Sequence, residues 1–521
     1  MTKSEIVAYV PGETSWWRKL FAIKTMEQLQ GDIQNSEMKR TLNFFDLTSI
    51  GIGAIIGTGI FVLTGVAAAK NAGPSIAISF IVSGIAAGTA ALSYSEMACM
   101  IPVAGSAYTY TYATMGELVG WTIGWDLILE YLVGAATVSV GWSAYFVEFI
   151  HSISGYKMSP KWTDAPFRYL DEEFSTTGNY INLPAVIVSL AITALLCLGV
   201  RESARVNSVM VSIKVVVVLL TIFACIKNIN PDNYTPFFPP NEGKFEKFGV
   251  TGMLSAATTV FFAYIGFDAI STAAQEAKNP QRDLPIGICG SLIICTVLYI
   301  AVCFILTGVV PYKDYGGTAK PISVLIARTG MNWLNIVVSL GIIVGLASVM
   351  LILLMGQPRI FYAMAKDGLF PEIAAKVHPR FKTPWFTTIV SGVACAVLGG
   401  ILPVDVLGEM TSVGTLFAFF LVNIGVIVLR FKRPDIERKF KVPLGPFVIP
   451  LLGAALSVLL ICTASKSTIA RLFIWMGIGL VIYAVYGRTH SKINNPHLAR
   501  YDDEKVATQN ELRGGAVSHL P

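Results

Sequence analysis

The chain has 521 residues, 54% hydrophobic and 14% charged, with a formal net charge of +6 and a mean hydropathy of +0.62. Soluble domains carry ~25% charged residues, so an ordinary water-soluble domain is excluded. Charge-free runs such as Leu183 to Val200 and Val215 to Cys225 approach the ~20 residues an apolar helix needs to cross the hydrocarbon core, and they lack the period-two alternation of a membrane barrel. The fold class expected is all-α integral membrane.

Residues 1–42 read as a polar amino-terminal tail in which Trp16, Trp17, Arg18 and Lys19 mark an amphipathic segment on the membrane face. The tail lacks the short apolar core of a cleavable signal peptide. Residues 43–490 form the transmembrane domain and 491–521 a second polar tail. Apolar patterning places about twelve transmembrane helices in that domain, over 44–68, 75–101, 107–149, 182–200, 206–227, 250–275, 284–310, 332–365, 385–403, 408–430, 444–464 and 469–487. The third is long enough to be bent or to carry an approach segment, and the eighth runs past the membrane at its carboxyl end.

Lysine and arginine crowd the loops on the side of the amino terminus, with Arg201, Arg205, Lys278, Arg282, Lys366, Lys376, Arg430 and Lys439 among them. That asymmetry places both termini in the cytoplasm. The eight cysteines are scattered singly, without CxxC or metal spacing, and read as buried thiols. The five histidines fall in predicted loops or tails, so a histidine relay inside the membrane is not expected. No cofactor, metal or nucleic acid is implied, and nothing in the sequence names a protein partner.

Two spans carry signs of interruption. In the first, Gly51, Gly53, Gly57 and Gly59 fall within nine residues, each costing about 1 kcal/mol relative to alanine inside a helix. Close helix packing explains a Gly53–Gly57 pair but not Gly57-Thr58-Gly59. An unwound turn there exposes amides at the start of a half-helix, where a carboxylate binds well, and calls for unusual backbone angles. In the sixth, Phe261-Phe262-Ala263-Tyr264-Ile265-Gly266-Phe267-Asp268 sets a glycine among aromatics, followed by an acid within an apolar run. Interrupted spans at corresponding places in two halves point to a midplane site in a carrier with inverted repeats.

Ionisable residues inside spans are site candidates by default. Asp126 and Glu130 share one face of the third span, and Lys214 lies in the otherwise uncharged stretch Val209 to Leu220. A structural ion pair or snorkelling is the alternative for Lys214, a hydrogen-bonded structural acid for Glu130, and a helix cap for Asp268. Asp126, Glu96, Glu148 and Glu276 sit nearer helix ends and read as interface groups.

Gly53 to Phe61, Phe261 to Glu276 with Asn279-Pro280, and Pro358 to Leu369 together resemble the amino acid–polyamine–organocation superfamily, most closely its cationic amino acid transporter family and bacterial relatives. The likeness covers roughly residues 40–490. It implies a LeuT-like five-plus-five inverted repeat with two further carboxyl-terminal helices, and transport of L-amino acids by alternating access. By matching position, amides at Gly57, Thr58 and Gly59 would take the substrate carboxylate. Carbonyls near Ile55 and in the turn from Phe262 through Ala263 to Ile265 would take the α-amino group. Phe262 would close over the substrate, Ile265 would touch its side chain, and Glu130 and Gly134 would line the third-span wall. Lys214 matches the lysine that replaces a bound cation in sodium-independent members, which implies a sodium-independent carrier, with Glu130 and Asp268 as candidates for proton coupling or gating. Cationic substrates such as arginine and lysine fit the family, whereas the eighth-span wall Leu346-Ala347-Ser348-Val349-Met350 favours small neutral ones such as alanine. The plasma membrane is the expected location. A channel would need a polar pore or a ring of acids and a membrane enzyme a catalytic constellation in the spans; neither is present in the sequence.

Overall fold

A computed structural model describes residues 20–23, 42–100, 106–170, 173–197, 204–272, 277–378, 383–432, 434 and 438–495. The amino-terminal tail apart from Leu20 to Ile23, and Glu276, lie outside them. The principal helices are α1 (Phe44–Ile55), α2 (Ile76–Met100), α3 (Ser106–Met115), α4 (Glu117–Ile128), α5 (Gly134–Ser154), α6 (Leu183–Cys197), α7 (Ala204–Cys225) and α8 (Gly249–Val260). They continue with α9 (Ala269–Thr272), α10 (Pro280–Val309), α11 (Pro321–Thr329), α12 (Asn332–Lys366), α13 (Trp385–Ile401), α14 (Val404–Lys432), α15 (Val448–Thr463) and α16 (Lys466–Ile482). Among the described residues, eight helical segments are long and apolar enough to cross a membrane, and three shorter apolar helices accompany them.

Helix α1 starts on a capping box: the Asn43 side chain accepts from the Phe45 and Asp46 amides at 2.8 and 3.1 Å, and Asp46 accepts from the Asn43 amide at 3.0 Å. Reciprocal capping of this kind fixes where a helix begins. Helical structure runs on, with interruptions, from Phe44 to Met100, 57 residues. Straight, that length would reach about 86 Å, far more than the ~30 Å hydrocarbon core. The chain reverses at Gly73-Pro74, where Gly73 takes φ +63°. The long third stretch is likewise bent. Gly116, at φ +102°, forms an elbow between α3 and α4 and lies so close to the Phe21 backbone that a Cβ there would sit 2.7 Å from it. A π-turn over Leu129–Val133 joins α4 to α5.

The most extensive helix packing pairs α5 with α12, α2 with α10, α1 with α10, α14 with α15 and α6 with α13, while α7 lies against α12 and α1. At one end of the bundle, Leu42 bridges to Ala277, and the buried Glu117 carboxylate accepts from Tyr112, Tyr483, Ser491 and Asn494. Residues that precede α1, such as Ala22, and residues that follow α16, such as Ser491, therefore meet at Glu117. Glu96 at that end is buried and clasps Arg430 at 2.8 and 2.5 Å while accepting the Val442 amide at 2.7 Å. At the opposite end Lys70 pairs with Asp405, and Lys320 with Glu148 at 2.5 Å. A hairpin not anticipated from the sequence, β1 (Phe167–Leu170) with β2 (Glu173–Thr176), docks there through Tyr169 on Ser467 and Arg471. Two sequence expectations change: His151 lies in the last turn of α5 and His490 in a short helix rather than in loops or tails, and Cys462 is exposed and Cys197 and Cys289 half-buried rather than buried.

Candidate functional site

Both interrupted helices break where their glycines predict, and the breaks cross. Helix α1 ends at Ile55, and Ile56 is extended at φ −71° and ψ 103°. Helical winding resumes at Thr58 and passes into a π-turn over Gly59–Leu63, with the Phe61 amide bonded to the Gly57 carbonyl at 3.3 Å. Amides before that bond start a helix and have no acceptor one turn back, while the last carbonyls of α1 have lost their donors. In the second break, α8 passes into a tight turn over Phe261–Tyr264, Ile265 is extended, and Gly266 takes φ +111° before α9. Gly59 lies against Ala263 so closely that a Cβ on it would stand 2.2 Å from the Ala263 Cα. Gly266 in turn lies against Ala54, at 3.0 Å by the same measure. Neither Gly57 nor Gly59 adopts a positive φ, contrary to the unusual angles expected there. Gly59 is required by the close approach of two backbones, and only Gly266 by its own conformation.

Side chains from neighbouring helices satisfy the freed carbonyls. The Tyr299 hydroxyl on α10 lies 2.9 Å from the Ile55 carbonyl and 3.0 Å from that of Ala263. With one proton it donates to one of them at a time. Lys214 on α7 is fully buried and donates through Nζ to the Gly53 carbonyl, and its stem passes Gly345 of α12. It neither snorkels nor faces lipid.

The acids gather to one side. Glu130, in the π-turn between α4 and α5, and Asp268, just past the second break, are both 1% exposed. Asp268 and Thr415 face the Glu130 carboxyl, and Tyr131 donates to Asp268 at 2.6 Å. Neither Glu130 oxygen completes a hydrogen bond of good geometry, nor do the Asp126 oxygens or the Thr58 hydroxyl. Buried polar atoms in that state are rare and each needs a reason. π-Turns themselves collect at functional positions.

Of the residues marked from the sequence, Gly59 and Ala263 meet at the crossing, Ile55 and Ala263 share the Tyr299 hydroxyl, Lys214 reaches the Gly53 carbonyl, and Phe262 and Ile265 lie buried in the second break. Gly57 faces Val349 of α12, and Gly141 of α5 faces the Thr58 side chain. Gly134 faces Thr411 and Leu353, so it packs α5 against α14 and α12. Tyr299 and Tyr131 escaped the sequence reading. The one available signal was a tyrosine in an apolar run, since a buried hydroxyl needs a partner. No cluster of three or more histidine, cysteine or acidic side chains suited to a metal occurs among the described residues.

A family model for amino acid permeases matches residues 42–484. The chain is 48% identical to a branched-chain amino acid permease of Bacillus subtilis, over 88% of its own length and 95% of the relative. It is 42% identical to a methylthioribose transporter of the same organism, over 91% and 99%. It is 37% identical to a vacuolar cationic amino acid transporter of Arabidopsis thaliana, over 81% and 65%.

Proposed function

The chain belongs to the amino acid permease family, integral membrane transporters rather than enzymes, and from that premise we infer that it carries L-amino acids with aliphatic side chains by alternating access. The crossing of two broken helices carries this reading. It offers amide donors at Gly57, Thr58 and Gly59 for a carboxylate, with the half-helix dipole behind them. It also offers the Ile55 and Ala263 carbonyls, of which Tyr299 can serve only one, for an ammonium. Phe262 closes over the bound molecule and Ile265 touches its side chain.

Val349, Met350 and Leu353 are buried apolar residues on the α12 wall, and the Glu130 carboxyl is faced by Asp268 and Thr415. An arginine or lysine head set against that wall would lose several kcal/mol of hydration without a matched acceptor. Leucine, valine or alanine would not. The relative named for branched-chain amino acids agrees with this choice.

The packing of α2 on α10, α5 on α12 and α6 on α13 joins each crossing to the one five later. That supports a five-plus-five inverted repeat of the LeuT type, breaks at the first position of each half, and α15 and α16 as additions, twelve crossings in all. Lysine and arginine at the end that holds both termini support cytoplasmic termini, in a plasma-membrane carrier. Lys214, seated on the Gly53 carbonyl, takes the place of a coupling cation, and Glu130 with Asp268 provides carboxyls for proton coupling.

Proteoliposomes preloaded with unlabelled leucine test the assignment. Labelled leucine is expected to exchange in, to be displaced by valine and alanine but not by arginine, and to be indifferent to replacement of sodium by choline. Exchange of arginine alone would restore the cationic reading. Exchange of methylthioribose alone would overturn the amino acid assignment.

A further inference from the structure

Beside the Leu42–Ala277 bridge, a surface cavity of about 1060 Å³ opens between the beginning of α10 and the segment after α14. Lys278, Arg282 and Lys439 line it, together with Ile286, Cys289 and Phe440. The arginines nearby, Arg430 and Arg438, turn instead to the buried Glu96, which both reach. Among the described residues, Lys278, Arg282 and Lys439 form no ion pair. Asp283, in the first turn of α10, is buried and turned back to accept the Asn279 amide at 3.3 Å. Among the described residues, three cations thus share one concavity without a protein counterion.

An apolar track leads away from it. Ile286, Ile293 and Val297 are 39%, 63% and 63% exposed, and their spacing of seven and four residues puts them on one face of α10. From residue 286 to 297 the helix rises about 16 Å, close to the ~15 Å depth of one leaflet's hydrocarbon. A soluble anion would use the cations and ignore the track. A lipid with an anionic headgroup uses both.

We propose that this cavity is a binding site for an anionic glycerophospholipid, its phosphate held by Lys278, Arg282 and Lys439 and an acyl chain lying along Ile286, Ile293 and Val297. Basic pockets between membrane helices suit such headgroups, and each lysine or arginine adds about a factor of five in affinity. The occupied site ties α10, which carries Tyr299, to the segment following α14.

Delipidated full-length protein is titrated in detergent with phosphatidylglycerol, phosphatidylcholine or inorganic phosphate, and bound lipid is counted by native mass spectrometry alongside thermal melting. Phosphatidylglycerol is expected to bind and raise Tm while phosphatidylcholine does not. In the triple variant Lys278→Gln, Arg282→Gln, Lys439→Gln its affinity is expected to fall on the order of a hundredfold. Lys278→Arg with Lys439→Arg should keep it, which separates lost charge from misfolding, and Tm in phosphatidylcholine should be the same for all three proteins. Equal binding of both lipids, or a preference unchanged in the triple variant, would overturn the proposal. Displacement of phosphatidylglycerol by inorganic phosphate at equal concentration would reassign the cavity to a soluble phosphate compound.

Discussion

The crossing of the two breaks can be tested with a single methyl group. In Gly59→Ala the new Cβ would stand 2.2 Å from the Ala263 Cα, 2.4 Å from its Cβ and 2.7 Å from its nitrogen. Non-bonded carbons rest at about 3.5–4.0 Å, so the crossing must open by about 1.5 Å. Two of the three atoms in the way are backbone, and the Ala263 carbonyl is held by Tyr299, so no rotamer change relieves the clash. Overpacking of this kind costs about 1–3 kcal/mol, and a site misplaced by about 1 Å loses on the order of a hundredfold in performance. Gly57→Ala meets only the Val349 side chain, at 3.3 Å, which a small rotation relieves. In equilibrium binding of labelled leucine to purified protein, Gly59→Ala should weaken binding about a hundredfold and Gly57→Ala less than about tenfold. Valine, larger by two methyls, should abolish binding at either position. Adding Ala263→Gly to Gly59→Ala should not rescue binding, because the clash with the backbone of residue 263 remains. Wild-type affinity in Gly59→Ala, or equal losses in the two alanine variants, would refute the geometry.

Other substitutions probe the groups around the crossing. Tyr299→Phe removes the donor shared by Ile55 and Ala263 and should cost about 1–3 kcal/mol, read as a lower Tm and at least tenfold slower exchange; unchanged exchange would make the hydroxyl a bystander. Lys214→Met preserves volume but strips the donor from the Gly53 carbonyl, and exchange should fall to background while the protein still reaches the membrane; retained sodium-independent exchange would remove Lys214 from the cycle. Glu130→Gln removes a titratable group and should flatten the pH dependence of uptake driven by an inward proton gradient, whereas an unchanged profile would leave Glu130 a structural acid.

The broken helices were legible because glycine is expensive inside a helix, and so many in one turn need a reason: Gly57, Gly59 and Gly266 all sit at a break. Lys214 was legible because an amine inside an apolar run has to find an oxygen. The identity of that oxygen, the Gly53 carbonyl, was not, because an interaction across 161 residues leaves no local trace. Tyr299 and Tyr131 were missed for a related reason. An aromatic ring fits an apolar pattern whichever way its hydroxyl points, and only three-dimensional proximity shows that one hydroxyl spans two breaks. Gly134 resembles a site residue by its position in the chain, and its neighbours Thr411 and Leu353, far away in sequence, were not legible there. The hairpin at residues 167–176 was hidden in a loop too short and polar to show an alternating pattern.

In the proposed carrier, the Tyr299 hydroxyl would link the geometry of the crossing to the transport cycle. It has a single proton and faces two carbonyls at 2.9 and 3.0 Å, one from each broken helix. Without substrate, one of the two lacks a donor from that side chain. A buried carbonyl left without a donor costs about 1–3 kcal/mol. An ammonium brings three donors, enough to satisfy the second carbonyl and hold the breaks together, so under the proposed assignment substrate binding and closure around it would draw on the same hydrogen bonds.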